Sequence, residues 1–204
     1  MTEPTEARRP TNRRLTREDI LPLEEYAAIR QERRRQSARL KKDRRLEVGP
    51  FATFYFENRD TMRQQVQEML YIEKGGEAQI EDELSAYNPL IPDGREIVAT
   101  VMFEIDDPVR RASVLNRLGG IEHHAFLEVG GDRIVGEPDP TRENTSPAGK
   151  ASAVQFLRFR LNDSQAEAFK TPGTRIVAGF DHPAYGHMAI ISQPVQAALA
   201  EDLD

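Results

Sequence analysis

Two stretches of the chain carry the residues best equipped for chemistry. The first is the run GFDHPAYGHMAI, where Asp181, His182, Tyr185 and His187 put a carboxylate, two imidazoles and a phenol within seven residues. Imidazoles and carboxylates ligate zinc, iron or manganese, and they also exchange protons near neutral pH. Histidines five apart across a tight turn can approach each other, and a complete site would take one more ligand from Glu57, Glu122, His123 or His124. The competing reading is structural. Pro183 and Gly186 shape a turn, Asp181 bonds its backbone, and the histidines pack against strands or cap their ends. The spacing lacks the HExxH pattern of a helical zinc site, which favours the structural reading.

The second stretch is FYFENRDTMRQQVQEM, with Glu57, Arg59, Asp60 and Arg63. Arg59 and Arg63 are four apart and Asp60 lies three before Arg63, so a helix starting near Arg59 would crowd them on one patch. Two guanidinium forks beside a helix N-terminus make an anion site for phosphate or carboxylate. The same residues also suit a capping and ion-pair network that locks a hairpin to a helix. The network is the favoured reading, because perturbed charges at such junctions are often structural.

Other chemistries find less support. With no cysteine, the chain offers no disulfide, thiolate zinc site, cysteine nucleophile or cysteine-ligated iron-sulfur cluster. Ser152, Ser164 and Ser192 lack a nucleophile-elbow context, and neither GGIEHH nor GGDRIVG has the strand-loop-helix setting of a phosphate loop. Glu81, Asp82 and Glu83 are consecutive, so a helix points them in different directions, as on a solvated acidic face.

The elements that position these residues follow from periodicity. Leu46 to Val48 and Ala52 to Phe56 form a hairpin around Gly49-Pro50, and Met62, Val66, Met69 and Leu70 set the apolar face of a helix capped by Asp60 or Thr61. Ile80, Leu84 and Tyr87 repeat at helical spacing, and the prolines of YNPLIP stop that helix. Glu96 to Ile105 alternates as a strand, and Asp106 or Asp107 caps a helix running to Leu118. His124 to Val129 and Arg133 to Glu137 make a hairpin, and 138–151 reads as a loop. Ser152 to Leu161 is a strand with neither face cleanly apolar, as expected of a central position. A short helix follows, then strands Arg175 to Phe180 and His187 to Ser192 on either side of DHPAYG, and a terminal helix from Val195 to Leu203. This order predicts an α+β fold, with helices packed on one face of a mainly antiparallel sheet. Residues 15–204 are expected to form a single domain, with a helix-hairpin-helix part over 15–92 and a sheet-rich part over 96–204. Residues 1–14, polar and aperiodic, read as a disordered tail.

Charge is distributed unevenly. Arg8 to Arg45 holds 14 Lys/Arg against 6 Asp/Glu, whereas Leu46 to Asp204 holds 14 against 26. The basic excess falls on a helix that begins near Pro22 with Leu23, Tyr26, Ala27 and Ile29 and continues as RQERRRQSARLKKDRR, an N-terminal basic extension. Such a helix can neutralise phosphates. No aromatic residue lies between Ile29 and Phe51 to stack on bases, no nucleic-acid motif is present, and the acidic body repels a polyanion. A solvated helix face, partly paired with the acidic body or a subunit, is preferred. No run reaches the roughly 18 apolar residues of a membrane helix, and the N-terminus has no signal-peptide core, so a cytoplasmic location is expected.

LTREDILPLEEYAAIR, FENRDTMRQQVQEM, YNPLIP and GFDHPAYGHMAI together resemble the bacterial domain-of-unknown-function 3501 family, from Leu15 to Leu203. The resemblance implies no activity, cofactor or catalytic residue. It does imply gene neighbourhood with rubrerythrin-like and iron-sulfur oxidoreductase proteins, and so a role near peroxide or anaerobic redox metabolism and oxidative stress. The functional expectation is a non-catalytic accessory or interaction protein with a redox protein as partner, or self-associating. The alternative is a metal-dependent enzyme using the histidine and carboxylate residues, and nucleic-acid binding through the basic helix stands third.

Overall fold

A computed structural model describes residues 13–204. The tail expected over residues 1–14 therefore lies outside the described residues except for Arg13 and Arg14. Arg13 donates to the Asp202 carbonyl at 2.9 Å and pairs with Asp204, which ties the start of the described chain to its end.

A 3-10 turn at Arg17–Asp19 precedes the helix α1, Leu23–Lys42. The hairpin β1, Arg45–Val48, and β2, Ala52–Phe56, leads into α2, Arg59–Glu73, and α3, Glu77–Tyr87. Then come β3, Glu96–Phe103; α4, Pro108–Leu115; β4, Ala125–Val129; β5, Asp132–Val135; and the two-residue β6, Glu137–Pro138. The chain finishes with β7, Val154–Arg160; α5, Asp163–Lys170; β8, Ile176–His182; β9, Tyr185–Ile190; and α6, Gln193–Ala200.

The class is α+β and every strand pair is antiparallel, but the strands form two sheets rather than one. The first sheet has the order β1-β2-β3-β7-β6 and the second β5-β4-β8-β9. Gly136 is where the chain changes sheets, in the middle of what the sequence reads as one strand from Arg133 to Glu137. Its N–H donates to the Ala125 carbonyl at 2.8 Å, and a Cβ there would lie 2.9 Å from the Phe159 ring, so only glycine passes through the core at this point. The residues after it then pair with β7, Glu137 opposite Arg158.

Two apolar clusters hold the layers together. The larger lies between the sheets, joining the inner faces of β2, β3 and β7 (Phe54, Ala99, Leu157, Phe159) to those of β4 and β8 (Leu127, Ala178, Phe180), with α4, α5 and α6 contributing Leu115, Phe169 and Leu199. The smaller lies on the opposite face of the first sheet, where Val98 and Phe156 meet Met62, Val66 and Leu70 of α2 and Ile80 and Leu84 of α3. β7 is an interior strand, between β3 and β6. Its alternation sends Gln155, Leu157 and Phe159 inward and Phe156 toward the helix layer, which explains why neither face reads as purely apolar. The first sheet also unites the two expected parts of the domain, since β1 and β2 come from one and β3, β6 and β7 from the other.

Candidate functional site

The Glu57 to Arg63 junction is built from the end of β2 outward. Asn58, rather than Asp60 or Thr61, caps α2: its side chain accepts from the Thr61 N–H at 2.9 Å, and the Thr61 hydroxyl accepts from the Asn58 N–H at 2.9 Å. Glu57 is buried, and its two oxygens accept separately from the hydroxyls of Thr61, at 2.6 Å, and Thr100, at 2.7 Å. Arg59 turns to Asp19 of the 3-10 turn at 2.6 Å, and Arg63 pairs with Asp60 at 2.9 Å. The two guanidinium groups are thus held by different carboxylates.

The histidine stretch is a tight hairpin instead of a loop. β8 and β9 pair through to His182 opposite Tyr185, so only Pro183 and Ala184 form the turn. Alternation then puts Asp181 on one face and His182 and Tyr185 on the other. The Tyr185 hydroxyl accepts from the Phe51 and Ala52 N–H groups at 3.0 and 2.9 Å and donates to the Val48 carbonyl at 2.7 Å, pinning the β1-β2 turn. Burial pushes its phenol pKa up. His187 stacks edge-on against Tyr185 and lies over Gly49, where φ is +67° and a Cβ would sit 2.6 Å from the imidazole.

The hairpin meets His124. Its Nδ1 lies 2.9 Å from Asp181, which also pairs with Arg133 of β5, and the His124 and His182 rings stand perpendicular with centroids 5.0 Å apart. The His124 hydrogen bond, with Arg133 beside it, lowers the Asp181 carboxyl pKa. His182 has both nitrogens engaged: Nδ1 accepts from the Ala184 N–H at 3.1 Å, so Nε2 carries the proton and donates to the Gly119 carbonyl at 3.3 Å. The structure brings His124, Asp181 and His182 together. His123 is exposed, and His187 lies at the other turn. Among the described residues no three histidine, aspartate or glutamate side chains converge on a point that could hold a metal ion.

α1 is the remaining feature. Tyr26 is its one buried residue, and it fastens the helix to α2: its hydroxyl donates to Glu68 and accepts from Gln64 at 2.6 Å. Arg30 grips both Glu68 oxygens, at 3.0 and 2.9 Å, and lies 4.4 Å above the Tyr71 ring. Arg30 first, and Tyr26 after it, lower the Glu68 carboxyl pKa, while burial and Glu68 push the Tyr26 phenol up to about 12. Beyond this clasp α1 is flanked by two clefts. One, of about 380 Å³, is lined by Arg33 and Arg63 together with Glu18, Asp19 and Asp60. The other, of about 500 Å³, is lined by Ala27, Arg30, Arg34, Arg35, Ala38 and Tyr71. The side chains of Arg33, Arg34, Arg39, Lys41 and Lys42 form no ion pair or hydrogen bond among the described residues.

Sequence reasoning did not single out three of these groupings: Arg44 with Asp202, Arg133 with Asp181, and Tyr26 with Arg30 and Glu68. The bonds Arg44–Asp202, Arg133–Asp181 and Arg30–Glu68 each join residues at least 38 positions apart, so no local spacing encodes them. Asp181 stood out only as a neighbour of the histidines, and Tyr26 only as part of the short apolar face at the start of α1.

No curated protein matches the chain. A crystal structure of a novel protein of unknown function from Burkholderia pseudomallei K96243 is similar, with 40% identity, a TM-score of 0.86, and coverage of 93% of this chain and 99% of that one. Among the described residues no helix is long and apolar enough to cross a membrane. The family model described as a protein of unknown function, DUF3501, matches residues 14–203, and the chain belongs to that family.

Proposed function

We propose that this protein acts by binding a partner protein rather than by catalysis, and that α1 is the element it presents. The observation that carries this reading is the helix itself, which runs for 20 residues and buries Tyr26 alone. Most helical stability in proteins comes from packing an apolar face rather than from intrinsic propensity. α1 has little such face, and the side chains of Arg33, Arg34, Arg39, Lys41 and Lys42 form no ion pair among the described residues. An acidic protein surface would supply both the packing and the charge. The family resemblance suggests rubrerythrin-like or iron-sulfur redox proteins as its source. The test is co-purification of the full chain with such proteins at low ionic strength. A complex that weakens from roughly 50 to 500 mM salt, as screening of exposed charges requires, and that is lost in Arg34→Glu with Arg39→Glu, supports the reading. Failure of the wild-type chain to form any complex overturns it.

A second reading rests on the His124–Asp181 pair. A carboxylate holding Nδ1 leaves Nε2 as a basic ligand or proton acceptor, and this is where a metal-dependent enzyme would begin. Stoichiometric iron, manganese or zinc in the purified protein, lost in His124→Ala with His182→Ala, would favour it over the binding role.

A further inference from the structure

The two sides of α1 differ in charge. The cleft with Arg33 and Arg63 also has Glu18, Asp19 and Asp60 on its walls, so an incoming carboxylate meets like charges there. The opposite cleft is lined by three arginines, Arg30, Arg34 and Arg35, and by no carboxylate. Ala27, Arg30, Arg34 and Ala38 are spaced three and four apart and share one face of the helix. Ala27 and Ala38 are exposed and three turns apart, roughly 16 Å along the axis at 1.5 Å per residue. Neither has a side chain beyond Cβ, so the helix backbone is open to close approach at both points. Arg30 is already committed to Glu68 and Tyr71, which makes it a fixed wall. Arg34 forms no ion pair at bonding distance among the described residues, although its charge adds to the lowering of the Glu68 carboxyl pKa. Arg35 reaches only Glu32, at 3.9 Å, with both side chains more than half exposed, a contact worth little.

We infer that this cleft seats an acidic helix of the partner protein, laid along α1 from Ala27 to Ala38 with its carboxylates bonded by Arg34 and Arg35. The inference rests on the reading of α1 as the docking element and adds the side, the secondary structure and the charge of what docks. Small residues at the contact let two helix axes come within about 8 Å, the near end of the usual range. Guanidinium forks match carboxylates bidentately and lose little entropy in doing so. A nucleic acid fits less well. Arg30 already covers the Tyr71 ring, which leaves no aromatic face in the cleft to stack on a base, and the two alanines offer apolar contact that a phosphate backbone does not use. The rest of the chain, with 26 Asp/Glu against 14 Lys/Arg from Leu46 onward, also repels a polyanion.

The experiment is an anisotropy titration of the full chain with three labelled probes. They are a synthetic alanine-rich helix with glutamates at i, i+4 and i+7, the same helix with glutamines, and a single-stranded oligonucleotide of equal charge. The glutamate helix is expected to bind at low salt at least about tenfold more tightly than either of the others, a difference of about 1.4 kcal/mol. Arg34→Glu with Arg35→Glu is expected to lose that advantage. Ala38→Phe fills the cleft at an exposed position without changing its charge, and is expected to weaken binding by about tenfold as well. Wild-type binding by Ala38→Phe overturns the cleft while leaving α1 as the docking element. Wild-type binding by both variants overturns the two readings together. Tighter binding of the oligonucleotide overturns the protein partner. Ala27→Phe serves as a second filling variant, and the circular dichroism of every variant must match wild type.

Discussion

Arg44 belongs to the most basic run of the chain and yet is 2% exposed. It lies just past α1, donates to the carbonyls of Phe56 and Ala198, and ion-pairs with Asp202 near the C-terminus. Burial pushes the Asp202 carboxyl pKa up while Arg44 pulls it down. Removing one partner of a buried pair leaves an uncompensated charge, which costs about 3–5 kcal/mol. Asp202→Ala is therefore expected to lower the urea midpoint by an amount of that size. Asp204→Ala, whose partner Arg13 is 30% exposed and which is itself half exposed, is expected to cost no more than about 1 kcal/mol. Equal shifts for the two variants would contradict the distinction. In the sequence Arg44 is one of many arginines, and nothing local marks it as the buried one. Its burial comes from the return of α6 past the end of β2, a tertiary fact. Tyr185 is a similar case. It reads as a phenol beside two histidines, a constellation for chemistry, but its hydroxyl is spent on the backbone of Val48, Phe51 and Ala52.

Among the elements, the clasp between α1 and α2 has a definite pH dependence. Arg30 holds the folded-state Glu68 carboxyl below its ordinary value of 4.5, while in the unfolded or undocked chain it titrates near that value. A depressed carboxyl pKa contributes stability that is fully present above the undocked value and is lost as the pH falls through the docked one. Glu68→Gln is thus expected to loosen α1 at pH 7 by on the order of 1 kcal/mol, the exposed share of the pair being discounted for screening. The difference from wild type should close below about pH 4.5. Ellipticity at 222 nm, followed through mild urea from pH 7 to 3, reports total helix, of which α1 is the longest element at 20 residues, and a gap that persists at pH 3 would contradict the assignment. Elements were the most legible level of this chain. The alternation of Ile97, Ala99, Val101 and Phe103 identified β3, and the stripe Met62, Val66 and Leu70 identified α2. Two boundaries were hidden. The split between β5 and β6 depends on how close Phe159 comes to Gly136, and the tight β8-β9 turn depends on His182 and Tyr185 both finding backbone partners. Both are set by contacts between elements, which periodicity does not carry.

The molecule as a whole is organised by its first sheet, because its strands β3 and β7 serve both cores. In β3, Val98 is 2% exposed against the helix layer and Ala99 is 0% exposed against the second sheet. In β7, Phe156 and Leu157 divide in the same way. A layer that could unfold separately would need an interface of its own to give up, and here losing either layer strips one face from strands the other layer needs. We therefore propose that residues 15–204 unfold as one cooperative unit, with α1, which buries Tyr26 alone and contributes to neither core, opening at lower free energy. The chain has five tyrosines and no tryptophan, and these report from both layers: Tyr26, Tyr71 and Tyr87 from the helices, Tyr55 and Tyr185 from the sheets. Beyond any early loss of α1, tyrosine fluorescence and far-ultraviolet ellipticity should trace one coincident urea transition. Val98→Ala, which thins the helix-layer contact, and Phe180→Ala, which opens the inter-sheet core, should both move that transition. The second should move it further, because deleting a buried aromatic costs about 3–5 kcal/mol, above the cost of the two methyl groups lost from Val98. Two separated transitions, or a Val98→Ala shift confined to the helical signal, would make the helix layer a subdomain. Hydrogen exchange then isolates α1: its amides should exchange through local opening at denaturant concentrations where those of β3 and β7 remain protected, as expected of an element with a single buried side chain.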